Sequence, residues 1–366
     1  VSRLPRALHP GAWWLWALGL ATAASRTTNP LLLALIIAVA GLVVASRRGD
    51  APWAFAFKFY LWAGLVVALS RVLFRVLFGG GDTGHVILWL PEIPLPGSFA
   101  GIHLLGPVSA EYLLAGLYDG LRLAAMLICV GAANALADPK RMLKAVPGAL
   151  YEVGTAVVVA LSVAPQLVES VLRVRRARRL RGGRQRGLRA LRGIAMPVLV
   201  DALDRSLALA AAMDSRGYGR GTGATRPVRL ATGTLLVAGL LGICVGVYGL
   251  LDGTSPGWLG LPMLLLGLLV AGFGLPLAGR RVRRSVYRPD PWRLTETLVA
   301  ASGLLPAAVL VLTARVDPGN LYPALDPLGW PGLPLGATLA VLVALLPAWL
   351  APPPVSVLSP ARAVAA

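Results

Sequence analysis

One repeated pattern in this chain has residue types and spacing suited to specific chemistry. The pattern A-x-x-x-R-G runs from Ala177 to Gly182 and again from Ala212 to Gly217. Each copy sets an arginine, Arg181 or Arg216, at the expected end of a helix and directly before a glycine, Gly182 or Gly217. Glycine turns the backbone away in the left-handed conformation, and the guanidinium projects from the rod as a permanently charged fork able to bind a carboxylate or carbonyl pair in bidentate fashion. The simpler use of such an arginine is to satisfy the last helix carbonyls and the macrodipole, worth about 0.3–1 kcal/mol. Recurrence within one stretch favours docking onto two similar surfaces, with Ala177 and Ala212, one turn before each tip, leaving room for close approach.

Other chemistry is thinly supplied. Glu111, Asp119 and Arg122 near the fourth apolar run, with Glu152 and Glu296, are the candidate catalytic groups, and they form no convergent nucleophile, base and metal set. Asp119 and Arg122, three residues apart, are expected to neutralise each other on a helix surface. Cys129 and Cys244 sit singly in apolar runs, and His9, His85 and His103 lack metal-ligand spacing, so loop or interfacial positions suit them better. Without a P-loop pattern, ATP hydrolysis would fall to partner chains, and neither catalytic nor metal residues nor a cofactor are assigned.

Two helices must position the arginines. Pro165 to Arg181 is predicted as an amphipathic helix, with Val168, Val171, Leu172 and Val174 opposing Glu169, Arg173, Arg175 and Arg176. Pro197 is predicted as the first residue of the second, whose stripe is Leu199, Leu203, Leu207 and Ala210. Asp201 and Arg205 lie off that stripe at the favourable i,i+4 separation. The stripes are expected to pack on each other.

The rest of the chain is apolar: 57% hydrophobic and 14% charged residues over 366 positions, with a mean hydropathy of +0.72. The reading is an all-α polytopic membrane protein with about eight transmembrane helices. Apolar runs cover residues 11–26, 30–46, 53–78 and 108–136, then 228–251, 258–278, 294–313 and 335–351. The arginine pair of motifs falls between the fourth and fifth. Three regions follow: a four-span part over 1–137, a cytoplasmic amphipathic module over 138–225, and a second four-span part over 226–366. Trp13, Trp14 and Trp16 favour a retained first span over a cleaved signal peptide.

Charge placement orients the spans. Ten arginines and no acid lie between Val171 and Arg192, and six more arginines between Gly279 and Arg293. With both termini in the cytoplasm, these blocks and Arg47, Arg48, Lys140, Arg141 and Lys144 all face inward, and the outer loops keep only Arg315. Val153 to Val163 is apolar, but counting it as a span would reverse this order, so it is assigned to the module and the membrane face. Arg71 and Arg75, near the outer end of the third span, are expected to anchor at the interface. The proline-rich stretch 79–106 is expected to form a short hairpin or interfacial loop. A net charge of +19 explained by topology, with no aromatic-studded basic fold, argues against nucleic acid.

These residues resemble the transmembrane T component of energy-coupling factor transporters, the cobalt and vitamin uptake family of ABC importers. The likeness covers about residues 1–250: His9-Pro10, Asn29-Pro30-Leu31, Asp138 to Pro147, and above all Pro165 through Gly219 with its Ala-Met-Asp-Ser-Arg-Gly-Tyr-Gly ending. The resemblance implies coupling helices that insert into two ABC ATPase subunits, a small integral-membrane substrate-binding S component, and a plasma-membrane location. Carried over, the docking tips are Leu180-Arg181-Gly182 and Ser215-Arg216-Gly217, departing from the family's Ala-Arg-Gly at the small residue. A single span after the coupling helices is typical of the family, whereas this chain offers four. The competing readings are a permease with its own substrate site and a membrane enzyme; the mostly Leu, Val, Ala and Gly spans favour a scaffold that moves other subunits.

Overall fold

The structure is a computed structural model describing residues 8–49, 56–78, 85–91, 93–94, 103–144, 151–180, 188–217, 226–251, 256–279, 290–325 and 329–353. It divides into two compact units, one of residues 1–142 with 290–366 and the other of residues 143–289.

The first unit opens with α1 (Pro10–Ser25), α2 (Pro30–Arg47) and α3 (Ala56–Leu77). Both His9-Pro10 and Asn29-Pro30 start a helix by the same means. A side chain accepts the orphan N–H two residues on (His9 Nδ1 from Gly11, 3.1 Å; Asn29 Oδ1 from Leu31, 3.0 Å), and proline fills the first helical position, where no donor is needed. The stretch after α3 forms β1 (Val86–Trp89), β2 (Ile93–Pro94), β3 (His103–Leu104) and β4 (Pro107–Ser109). β1 pairs antiparallel with β4 and β2 with β3, so the hairpin expectation for this segment holds in its described residues. Ser109 then caps α4 (Ala110–Leu136), and α5 (Pro139–Lys144) follows.

The core lies around α1. Helices α2 and α4 pack on it, as does α10 (Leu294–Val316) from the far end of the sequence. Trp16, Leu20, Leu32, Leu33, Ile36, Val43, Val299 and Leu310 are all fully buried there. Gly19 and Gly303 bring α1 and α10 so close that a Cβ on Gly19 would lie 2.2 Å from the Gly303 carbonyl oxygen. The two helices run parallel. The His9 ring packs at a tilt against Trp292 at one end, and at the other Thr27 Oγ1 donates to the Leu321 carbonyl at 2.8 Å.

Asn29 organises that second end. Besides capping α2, its Nδ2 donates to the carbonyls of Asn320 (3.1 Å) and Gly332 (2.6 Å), and it is fully buried. Replacing Asn29 by leucine removes the cap and leaves two carbonyls without their donor, at a combined cost of about 2–4 kcal/mol. A marked fall in the thermal midpoint of the purified protein checks this, and an unchanged midpoint contradicts it.

The last apolar run, expected as one span over 335–351, is two pieces, α11 (Leu335–Val343) and α12 (Pro347–Leu350). Pro347 cannot donate to the helix ladder. The carbonyls at the break find side-chain partners instead: Trp16 Nε1 donates to Ala344 at 3.0 Å, and the Arg47 guanidinium to Ala348.

The second unit holds α6 (Tyr151–Leu180), α7 (Leu188–Ser215), α8 (Arg226–Leu251) and α9 (Leu261–Gly279). Helices α8 and α9 form a hairpin closed by small residues, with a Cβ on Gly242 falling 2.9 Å from the Gly267 Cα. By length and composition, α2, α3, α4, residues Val153–Leu180 of α6, residues Leu230–Gly249 of α8, and α10 are long and apolar enough to cross a membrane. Leu261–Leu275 and Leu335–Leu350 are shorter apolar helices. Two features differ from the sequence reading. α1 has 16 residues, short of the roughly 20 a crossing needs, and α2, α4 and α10 pack on it. Val153–Leu180, read as part of the interfacial module, has the composition of a span.

Candidate functional site

Both helices that lead into the arginine motifs exist, but each starts earlier than its proline suggested. Pro165 lies inside α6 and Pro197 inside α7. Each proline deletes one ladder bond, and helices of 30 and 28 residues retain enough of the others to run on through it.

At the end of α7 the anticipated geometry is present. The N–H groups of Arg216 and Gly217 donate to the carbonyls of Met213 (3.2 Å) and Asp214 (2.9 Å), and Gly217 has φ 75°, the left-handed value that glycine adopts without Cβ strain. Arg216 and Ala212 are exposed. Helix α6 finishes at Leu180, itself 89% exposed, with Ala177 also exposed. Arg181 and Gly182 lie outside the described residues.

The apolar stripes do not pack on each other as expected. Val168 and Leu172 on α6, like Leu199, Leu203 and Leu207 on α7, remain exposed. What joins the helices is polar. Ser170, 2% exposed, donates from Oγ to Asp201 Oδ2 at 2.7 Å; Arg205 Nε donates to Asp201 Oδ1 at 3.1 Å, and its Nη1 donates to Gln166 Oε1 at 3.2 Å. The four groups close a clasp across the crossing. The Ser170 hydroxyl, and then the Arg205 guanidinium, hold the Asp201 carboxyl below the usual aspartate range.

Sequence reasoning found the Asp201–Arg205 half of this clasp from its spacing and missed Ser170 and Gln166, whose link to α7 is tertiary. Further along, a Cβ on Gly193 would meet the Arg178 guanidinium at 2.5–2.8 Å. The order of these contacts (166 with 205, 170 with 201, 178 with 193) makes the two helices antiparallel. Their C-terminal tips therefore point away from the clasp in opposite directions. At 1.5 Å per residue, Arg216 is about 22 Å beyond Asp201 and α6 ends about 15 Å beyond Ser170.

The candidate catalytic groups occupy structural positions. Glu296 is buried in the first turn of α10 and accepts the Arg293 N–H at 3.2 Å. Asp119 pairs with Arg122 as its spacing foretold, and also with Arg75, which sits over the Tyr112 ring. Glu111 accepts from the His85 backbone N–H and contacts its ring, so His85 belongs to the exposed hairpin. The Glu152 side chain lies outside the described residues. A cavity of about 290 Å³ is lined by Trp14, Tyr60, Asn134 and Met142 among others, with no carboxylate, histidine or cysteine on its wall among the described residues.

Comparison with known proteins gives two findings. Residues 2–226 match the model of the family CbiQ, described as a cobalt transport protein. The chain is also 29% identical over 211 residues to a protein of Bacillus selenitireducens named energy-coupling factor transporter transmembrane protein EcfT, an alignment covering 55% of this chain and 74% of that one. The matched region ends at Arg226, where α8 begins.

Proposed function

The chain belongs to the CbiQ family of cobalt transport proteins, and on that premise we propose that it is the transmembrane coupling subunit of an energy-coupling factor importer. In this reading two ABC ATPase subunits receive Arg181-Gly182 and Arg216-Gly217, and a small integral-membrane S component carries the substrate, a vitamin or a metal ion. The S component rests on the exposed faces of α6 and α7. The protein itself hydrolyses nothing; residues 138–225 act as a lever module on the cytoplasmic face of the plasma membrane.

The observation that carries the reading is the antiparallel clasp of α6 and α7 with their C-termini on opposite sides of it. A dimer of two like ATPases offers two like grooves, and one rigid module with a tip at either end can engage both. Closure of the ATPases on ATP would move the tips, and the clasp converts that movement into a change of helix direction. The exposed Val168, Leu172, Leu199, Leu203 and Leu207 would transmit it to the S component. Helix α10 packs with α1 in the first unit, so α8 and α9 stand in the sequence as a hairpin inserted between the module and the last core helix.

Isolation of the full chain in mild detergent, followed by identification of its companions, tests the proposal. Two ATPase subunits and a small membrane protein are expected. A chain that purifies alone and transports without ATP would refute it.

The clasp gives a second expectation. Asp201→Asn keeps an acceptor for Ser170 and removes the charge that holds Arg205. ATPase subunits should still co-purify while ATP-driven uptake falls several-fold. Because folding lowers the Asp201 pKa, the carboxylate's contribution is fully present above the ordinary value of about 3.9 and is lost as pH falls through the lower folded value. Uptake assayed from pH 8 to pH 5 should therefore show no step from this group, and a step that Asp201→Asn abolishes would contradict the assignment.

A further inference from the structure

Two guanidiniums meet one carboxylate where the last turns of α3 face the first half of α4, and a third arginine lies beside them. Arg75 Nη2 lies 3.4 Å from Asp119 Oδ2 and Arg122 Nη2 lies 3.6 Å from Asp119 Oδ1, so a single acid is shared by two cations. Arg71 belongs to the same patch. A Cβ on Gly120, the residue after Asp119, would lie 3.2 Å from the Arg71 Cβ, and Arg71 has no ion-pair partner among the described residues. Arg71 is exposed, and Arg75, Asp119 and Arg122 are about one third exposed.

Both helices are apolar enough to cross a membrane, and an unbalanced charge is costly there. Arg71 lies about 9 Å from the end of α3, within reach of the interface by snorkelling. Asp119 and Arg122 lie about 14–18 Å from the start of α4. That helix spans about 40 Å against a hydrocarbon core of about 30 Å, so about 10 Å of its length lies outside the core. Over the same stretch α3 exposes Leu65, Leu69, Leu73 and Phe74. A small aqueous anion has no use for such a surface, whereas acyl chains do.

We propose that Arg71, Arg75 and Arg122 bind the phosphate of an anionic phospholipid in the leaflet bordering the end of α3, with its chains lying along the apolar face of that helix. Arg71 is the free arm of the site, and Asp119 acts as an internal competitor that holds the other two arginines in place until the phosphate arrives. This inference rests on membrane embedding alone and stands or falls independently of the ATPase and S-component assignments.

Native mass spectrometry of the full chain tests it, after delipidation and titration with dioleoyl phosphatidylglycerol or dioleoyl phosphatidylcholine. The unaltered protein should retain phosphatidylglycerol preferentially. Arg71→Gln, which orphans no ion pair, should lower that retention by about five- to tenfold, since each basic residue near an anionic headgroup contributes about 1 kcal/mol. Asp119→Asn should raise it, because the competing carboxylate is gone; a merely structural cluster would move the other way. Arg71→Lys should keep most of the retention. Equal retention of the two lipids, preserved retention in Arg71→Gln, or displacement of the lipid by millimolar inorganic phosphate would each overturn the proposal.

Discussion

Changing Arg181 and Arg216 together to alanine should abolish ATP-driven uptake while leaving the protein folded in its membrane. Arg216 has no hydrogen-bond or ion-pair partner for its side chain among the described residues, and the end of α7 is closed by backbone bonds and by the left-handed Gly217. Its loss therefore disturbs little inside the free subunit, so any large effect must arise at a partner surface. Truncating one member of a buried, hydrogen-bonded charge pair at an interface costs about 2–5 kcal/mol. Two such losses on one rigid module weaken ATPase association by about a thousandfold or more, because the second contact is otherwise made at high effective concentration. Either single change should leave partial association. Arg216→Lys should restore charge without the planar fork and recover only part of it. The measurement is ATPase co-purification at physiological salt, paired with uptake in vesicles that also hold the S component. Survival of the complex in the double variant sinks the docking assignment.

The parts of this architecture visible in the sequence are those whose cause is local. His9-Pro10 and Asn29-Pro30 announce helix starts because cap and first-turn proline act within three residues. Asp119 with Arg122 and Asp201 with Arg205 are legible for the same reason, as neighbours on a helix surface. The end of α7 could be located from Arg216-Gly217 alone, since a left-handed glycine there ends the helix whatever surrounds it. The hidden parts depend on contacts between distant segments. Nothing near Ser170 says that its hydroxyl will meet Asp201, and nothing near Trp16 points to the Ala344 carbonyl 328 residues away. Prolines misplaced two helix starts because a long helix tolerates the loss of one ladder bond at Pro165 or Pro197. The apolar stripes revealed an amphipathic helix but not its partner: periodicity is the same whether the stripe meets its neighbour or stays open for another chain.

Gly303→Leu should remove the protein from the membrane fraction or leave it too unstable to purify. A Cβ at Gly303 would lie 2.3 Å from the Trp16 carbonyl oxygen and 2.4 Å from its Cα, and backbone atoms have no rotamer by which to yield. The helices would have to part. Parting draws Trp16 away from the Ala344 carbonyl and opens a core in which Leu20, Val299 and Leu310 are fully buried. Overpacking at about 1–3 kcal/mol and an orphaned buried indole at about 1–3 kcal/mol add to a loss of about 4 kcal/mol, a large fraction of any domain's stability. Gly303→Ala should be impaired to a lesser degree. Gly272→Leu, where a Cβ would meet nothing within 4 Å, should be silent. The comparison also decides what the C-terminal helices are. Gly303 lies beyond residue 226, where the family match ends, yet its helix faces Trp16 in the first unit. An appended module could lose its packing and leave the N-terminal helices folded, so protease-resistant α1 to α4 in Gly303→Leu would make α10 an addition. Collapse of the whole unit makes α10 the closing helix of the core, with α8 and α9 as the insertion.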